Sequence, residues 1–223
     1  MQLRHECPLS GEAYVARSAW RDASLAACPR HRGGCGLVRH GTYPRRTPTG
    51  MRIARYYCPT AHETFSLLPD CLASHFPGEL DTIEHVVAIV ETARSVEAAA
   101  DVLRPEITLP AAVRWIRRRL TPVRRALLAV VTLLPDLFAG DARLSAVRLA
   151  LATPSALVAL RTQGAPYLAT LPTPLGFHPR SVRREAPPRR SHTAWGQTAP
   201  APRGEDPARR APAARRTPHA ATR

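Results

Sequence analysis

Two short cysteine–histidine runs hold the residues whose types and spacing can do chemistry. Cys28-Pro29-Arg30-His31 sets an imidazole three positions after a thiol, and Cys58-Pro59-Thr60-Ala61-His62 sets one four positions after. Thiolates and neutral imidazoles are what Zn2+ takes in a closed, four-coordinate structural site, with no redox change required. Each Cys-Pro step fixes the start of a tight turn, so that the second ligand folds back toward the first. The first run leaves a choice open. His31 has the usual spacing, while Cys35 is the softer ligand and sits in a loop made pliable by Gly33, Gly34 and Gly36. The candidate ligands are therefore Cys28, His31, Cys35, Cys58 and His62, and the candidate cofactor is a structural Zn2+. The plain alternative is a set of unrelated core and surface residues. Cys7 and Cys71 have no partner at ligand spacing; Cys71, after Leu67-Leu68-Pro69, reads as a small buried apolar residue.

A second set is cationic. Arg114, Arg117, Arg118 and Arg119, with Arg124 and Arg125 beyond, lie in a segment of helical period. Arg114, Arg117 and Arg118 fall opposite Val113, Ile116 and Leu120. Guanidiniums arranged this way can reach phosphates or pair with guanine edges in a major groove. The candidate DNA-binding residues are Arg114, Arg117, Arg118, Arg119 and Arg124. The plain alternative is the solvated basic face of an ordinary bundle helix.

The elements that must position these residues divide the chain in four. Residues 1–24 show little periodicity and read as a partly ordered arm. Residues 25–76 are rich in Gly, Pro, Cys, His and Arg; Arg52-Ile53-Ala54-Arg55-Tyr56-Tyr57 reads as a strand after the turn signal Pro48-Thr49-Gly50, and 37–43 as its hairpin partner. A lone hairpin is marginal in water, so a metal is the expected staple. The strands end near residue 60 in this reading, and His40 packs on the hairpin. From 81 to 161 the period turns helical. Ile83, Val86, Val87 and Val90 form one stripe, capped by Asp81 or Thr82; Ser95 caps a second helix ended by Pro105; Thr108 caps a third with Pro110 in its first turn; and Thr121-Pro122 ends that helix and starts a fourth running to about 134. Shorter helices are expected at 142–152 and 154–161, and residues 165–223 as a disordered Pro/Arg-rich tail. The fold class is α+β: a small zinc-ribbon hairpin followed by a helix-turn-helix-like bundle.

Composition excludes more than it proves. The 223 residues carry a formal charge of +15, of which the stretch from His178 holds eleven arginines against three acids. A basic surface favours a polyanion. The chain contains no Lys and no Asn, a bias that a GC-rich genome produces without selection for binding. Five cysteines, an odd number, and an N-terminus MQLRHECPLSGEAY without an apolar h-region predict a reduced cytoplasmic setting rather than a disulfide scaffold. The apolar run 126–138 is too short to span a bilayer, so no membrane partner is expected. No Gly-rich phosphate loop, nucleophile elbow or His-Glu-x-x-His is present, and Asp70, Asp101, Asp136 and Asp141 lie on different segments; an enzyme is not expected.

The strings Arg39-His40-Gly41-Thr42-Tyr43, Arg55-Tyr56-Tyr57-Cys58-Pro59-Thr60 and Thr64-Phe65-Ser66-Leu67-Leu68-Pro69 resemble the N-terminal zinc ribbon of bacterial insertion-sequence transposases and their short relatives. The resemblance covers about 28–70 and extends weakly to 120, where Trp115-Ile116-Arg117-Arg118 resembles the Arg-Trp stretch of a transposase-type helix-turn-helix. This chain departs from the pattern in having His31 at the second Cys position and Ala61 at the fourth, with His62 one step late. The resemblance implies a non-catalytic DNA-binding module whose partners are DNA and a separate catalytic transposase subunit. Two alternatives stand beside it: a protein-docking adaptor using the apolar stripe Leu127, Leu128, Val131 and Leu134, and a relic without activity.

Overall fold

A computed structural model of the chain describes residues 1–31, 33–138 and 140–177. Its first half is a four-stranded mixed sheet of strands β1 (Gln2–His5), β2 (Val38–Pro44), β3 (Arg52–Cys58) and β4 (Glu63–Pro69), ordered β1-β4-β3-β2. The β2–β3 hairpin is antiparallel, pairing Val38 with Tyr57 and Tyr43 with Ile53, with an irregularity between Arg39 and Thr42. β3 and β4 are antiparallel, and β1 lies parallel to β4 with Leu3 opposite Leu67.

Two strands depart from expectation. The strands do not end near residue 60: Phe65 and Leu67 alternate with Thr64 and Ser66 in the period of a half-buried strand, and β4 becomes central to the sheet. Residues 1–24 are not an arm. They supply β1, helix α1 (Gly11–Ala16) and a 3-10 turn (Ala19–Arg21), with Tyr14 and Ala23 buried. Parallel pairing joins residues more than sixty positions apart, so no local pattern announces it.

Helices α2 (Leu80–Thr92), α3 (Val96–Leu103), α4 (Leu109–Leu133), α5 (Pro135–Phe138), α6 (Leu144–Leu151) and α7 (Ala156–Gln163) follow. α3 packs on α4, and α2 touches both as well as α6 and α7. Ile83, Val86, Val87 and Val90 are buried as their spacing predicts, and Ser95 Oγ accepts the N–H of Ala98 at the start of α3. Neither Asp81 nor Thr82 caps α2, which starts earlier, after Glu79. The acids of α2 cap other helices instead. Glu79 accepts from Gly11 N at α1, Glu91 from Leu144 N (2.7 Å) and Ser145 N (3.0 Å) at α6, and buried Glu84 from Ala156 N (3.0 Å) and Leu157 N (2.7 Å) at α7. A carboxylate there satisfies orphan N–H groups and meets the positive end of the helix dipole.

Thr121-Pro122 does not divide the third helix from a fourth. α4 runs through Pro122 for 25 residues. Proline removes one N–H, the one that would reach the Arg118 carbonyl, but Leu120, Val123, Ala126 and Leu127 keep the buried stripe continuous across it. Packing outweighs the local break.

One core joins the sheet to the helices, with Met51, Ile53 and Leu68 from the strands meeting Ile83, Ile116 and Leu127; it does not divide between residues 76 and 81. It also takes in Leu168, Leu171, Leu175 and Phe177, so the expected disorder from 165 onward is corrected for 165–177. Their anchor is Arg161 on α7, whose guanidinium is 0% exposed and donates to the carbonyls of Asp70 (2.9 Å), Leu72 (2.6 Å), Pro174 (2.7 Å) and Leu175 (3.1 Å). The rest of the predicted tail, 178–223, lies outside the described residues. Among the described residues, no single helix is long and apolar enough to cross a membrane.

Candidate metal centre and basic helix

A second, smaller core lies on the opposite face of the sheet. Ala54 and Tyr56 from β3 and Phe65 and Leu67 from β4 form its floor, with Ala23, Leu25 and Leu37 around it. Strand alternation sets this face: Ile53 points to the main core, and Ala54, Tyr56 and Cys58 point to the small one. Tyr56 donates its hydroxyl to the Ala23 carbonyl at 3.1 Å, and Arg39 donates to the carbonyls of Trp20, Arg21 and Ala23, so the segment leading to Cys28 is tied to the sheet.

Cys28, His31, Cys35 and Cys58 converge at the edge of this core, their ligand atoms all within 4.8 Å of one another. His31 Nδ1 stands 3.5 Å from Cys28 Sγ and 3.4 Å from Cys58 Sγ. A tetrahedral zinc with bonds of about 2.3 Å to sulfur and about 2.0 Å to nitrogen sets its S and N ligands about 3.5 Å apart. Three soft thiols and one imidazole in that arrangement can hold a metal ion, and the donor set is compatible with zinc. All five cysteines of the chain are free thiols.

Each Cys-Pro turn performs the same local task. His31 N–H donates to the Cys28 carbonyl (3.3 Å), and Ala61 N–H donates to Cys58 Sγ (3.4 Å). Burial acts to raise the Cys28 thiol, but the backbone N–H groups of Arg30 and His31, the His31 ring and the Cys58 thiol outweigh it and bring it down to about 6. Cys35 moves the other way, raised by burial and by hydrogen bonds with Cys58 and Cys28. The set thus contains a ready thiolate beside a thiol that holds its proton until a cation displaces it.

No protein family, curated protein or solved structure matches this chain.

The open choice in the first run is resolved: His31 and Cys35 both join the cluster. His62 is corrected. Its backbone lies in the left-handed region (φ 50°) at the end of the 59–62 turn, its N–H donates to the Pro59 carbonyl, and its Nδ1 lies 3.2 Å from the Tyr57 hydroxyl rather than among the four ligands. Cys35 fills the place that Ala61 leaves empty. Thr60 Oγ1 donates to the Cys35 carbonyl at 3.2 Å, and Gly36 (φ +66°) lets the loop press on Pro59, where an added Cβ would stand 3.3 Å from Cγ. Arg30 and Glu63 form an ion pair at 2.7 Å that fastens the first turn to β4. His40 sits with its ring 5.7 Å from that of Tyr57, on the hairpin as expected.

Arg114, Arg117, Arg118, Arg124 and Arg125 are exposed on α4, within one arc of the helix and opposite Ile116, Leu120 and Val123. α4 contains no acidic residue, and none of these five is ion-paired among the described residues. Arg119 differs: it is half-buried, with its Cζ 3.7 Å from the centre of the Trp115 ring and Nη1 donating to the Trp115 carbonyl. Arg104, which sequence reasoning placed only in a turn, lies over the same ring at 4.9 Å. No motif announces that contact, because the two residues are eleven apart and meet only once α3 folds onto α4.

Asp70 does not read as a catalytic acid. It is buried, held by Arg4 Nε (2.8 Å) and Nη2 (3.1 Å) and by the Cys7 N–H (3.2 Å), which makes it a tie between β1 and the end of β4.

Proposed function

We propose that this protein is a non-catalytic DNA-binding module in which a structural Zn2+ held by Cys28, His31, Cys35 and Cys58 fixes the outer face of the sheet, and the basic face of α4 engages duplex DNA. The observation that carries the DNA reading is the unpaired row of Arg114, Arg117, Arg118, Arg124 and Arg125 on a helix without acids. At a rise of about 1.5 Å per residue, Arg114 to Arg125 span about 17 Å, enough to follow several phosphates or lie along a groove. α3 and α4, joined by residues 104–108, supply the two helices of a loose helix-turn-helix, and the ribbon-like strings at 39–43, 55–60 and 64–69 favour kinship with transposase N-terminal regions and a separate catalytic partner.

The reading is tested by fluorescence anisotropy on a duplex across a salt series. Each neutralised phosphate contributes a slope of about −0.9 in log K against log salt. Arg117→Ala plus Arg124→Ala is expected to weaken binding and flatten the slope by about two units. Unchanged affinity and slope in that variant would remove α4 from the interface.

A protein-docking reading has one specific observation behind it: Leu128 on the same helix is 60% exposed, with Leu133 and Leu137 also exposed nearby in sequence. Leu128→Gln separates the two, since it adds no charge to the arginine face and is expected to leave DNA affinity within about twofold and to abolish docking onto a protein partner.

A further inference from the structure

Beside α4 lies a groove of about 640 Å³ that shares Arg114 and Arg118 with the outward basic face and adds an apolar wall to them. Four guanidinium groups reach it, from Arg104, Arg114, Arg118 and Arg119, and its apolar wall comes from Phe76, Pro77, Ile107 and Trp115. Trp115 orders two of the cations. Arg119 and Arg104 both lie against its ring, with Cζ 3.7 and 4.9 Å from the centroid. Arg104 Nε is taken by Glu106 and Arg119 Nη1 by the Trp115 carbonyl, and the remaining N–H groups of each guanidinium are the ones that can donate to a phosphate.

The local charge is unbalanced. Glu106 pairs with Arg104 through Nε and is itself largely exposed; no other carboxylate among the described residues pairs with any of the four arginines. Burial and the neighbouring charge of Arg104 both lower Arg119 from its ordinary value, so two cations are held together at a cost that an anion would offset.

An apolar wall and several cations lining one cavity suit a ligand with a flat ring and a phosphate. We propose that this groove binds one nucleotide, its phosphate held by the arginines that line it, Arg104 and Arg119 among them, and its base against Phe76, Pro77 and Ile107. The proposal deepens the nucleic-acid reading and rests on it for the source of the nucleotide: an unpaired residue beside the duplex that α4 engages. A free nucleotide carries the same chemistry, and the test has an arm for each.

The experiment titrates the full chain with adenosine monophosphate, adenosine and inorganic phosphate by calorimetry, for wild type and for Arg104→Gln plus Arg119→Gln. Adenosine monophosphate is expected to bind about tenfold or more tighter than either fragment, and the double variant to lose about tenfold or more. Equal binding by wild type and variant overturns the proposal. Should the variant not fold, the indole resonance of Trp115 in the wild-type protein decides: a shift that saturates with added nucleotide supports the groove, and an unmoved resonance overturns it. A duplex carrying a single-stranded overhang, compared with a blunt duplex, assigns the source; a preference for the overhang that the double variant abolishes places the nucleotide on a strand, and nucleotide binding with no such preference places it free in solution. Nucleotide binding without duplex binding keeps the groove and removes the duplex reading, whereas duplex binding without nucleotide binding removes the groove alone.

Discussion

Single side chains set the chemistry of both ends of this molecule. The cysteines have the same formula and opposite behaviour. Cys71, packed in the main core, is pushed up to about 12 by burial, then by the charge of Glu79, whereas Cys28 is brought down to about 6 chiefly by the N–H of Arg30 and the His31 ring acting against burial. At pH 8 Cys71 is held as the thiol. Alkylation of the native protein after chelation is therefore expected to label Cys28 first and to leave Cys71 untouched until the chain unfolds, as read by peptide mass spectrometry; labelling of Cys71 at the rate of Cys28 would contradict the burial assigned to it. Arg161 shows the converse use of a buried polar group. Its donors close five carbonyls from two distant segments, and Arg161→Leu is expected to cost about 3 kcal/mol or more in denaturant unfolding, because those carbonyls would lose their partners inside the core. Neither role was legible in the sequence. Arg161 sits in an ordinary amphipathic run, and its partners come together only in the fold. The metal ligands were legible as residue types, since Cys-Pro turns and the Gly-rich loop mark them. His62 was misplaced because one left-handed residue at a turn redirects a side chain that spacing alone would aim at the metal.

At the scale of elements, the period of apolar residues located α2, α3, α6 and α7 and the β2–β3 hairpin, while the boundaries that failed are those decided by packing. Pro122 is the clearest instance. Local propensity ends a helix there, yet α4 continues because the stripe on either side is buried. Pro122→Ala is therefore expected to stabilise the protein, by about 1–3 kcal/mol, through the restored bond to the Arg118 carbonyl and relief of the ring clash; a destabilised variant would mean that the bend itself is required for packing. The acids of α2 were misread in the same way. Asp81 and Thr82 have cap chemistry, but Glu79, Glu84 and Glu91 reach across to cap α1, α6 and α7, contacts invisible to any local window. Glu84→Gln keeps the shape and removes the charge. It is expected to lower stability by about 1–3 kcal/mol, since it weakens the α7 cap and the Arg148 ion pair at 2.8 Å together.

Over the whole molecule, one sheet separates two cores with different means of cohesion. The side facing the helices is a large apolar core, tied further by the buried contacts of Arg161 and Glu84. The other side holds a smaller set of buried residues under a loop-rich segment, where a metal held by Cys28, His31, Cys35 and Cys58 would add to the stabilisation from burial. That division explains why the zinc-ribbon expectation found four members of the Cys/His cluster but misassigned His62 and missed the architecture: the hairpin is not free-standing, since β4 and β1 extend it and the helices cover its other face. It also sets the outcome of metal removal. Chelation is expected to loosen 24–37 and the 59–62 turn while the helical core stays folded, seen as amide exchange rising in those segments and not in α2 or α4. The most direct test is metal content of the purified chain by mass spectrometry, for wild type, Cys35→Ser, Cys28→Ser plus Cys58→Ser, and His62→Ala. About one zinc per chain is predicted for wild type and His62→Ala, and close to none for the cysteine variants. A wild type that folds without zinc, or a His62→Ala protein that loses it, would contradict the centre as assigned.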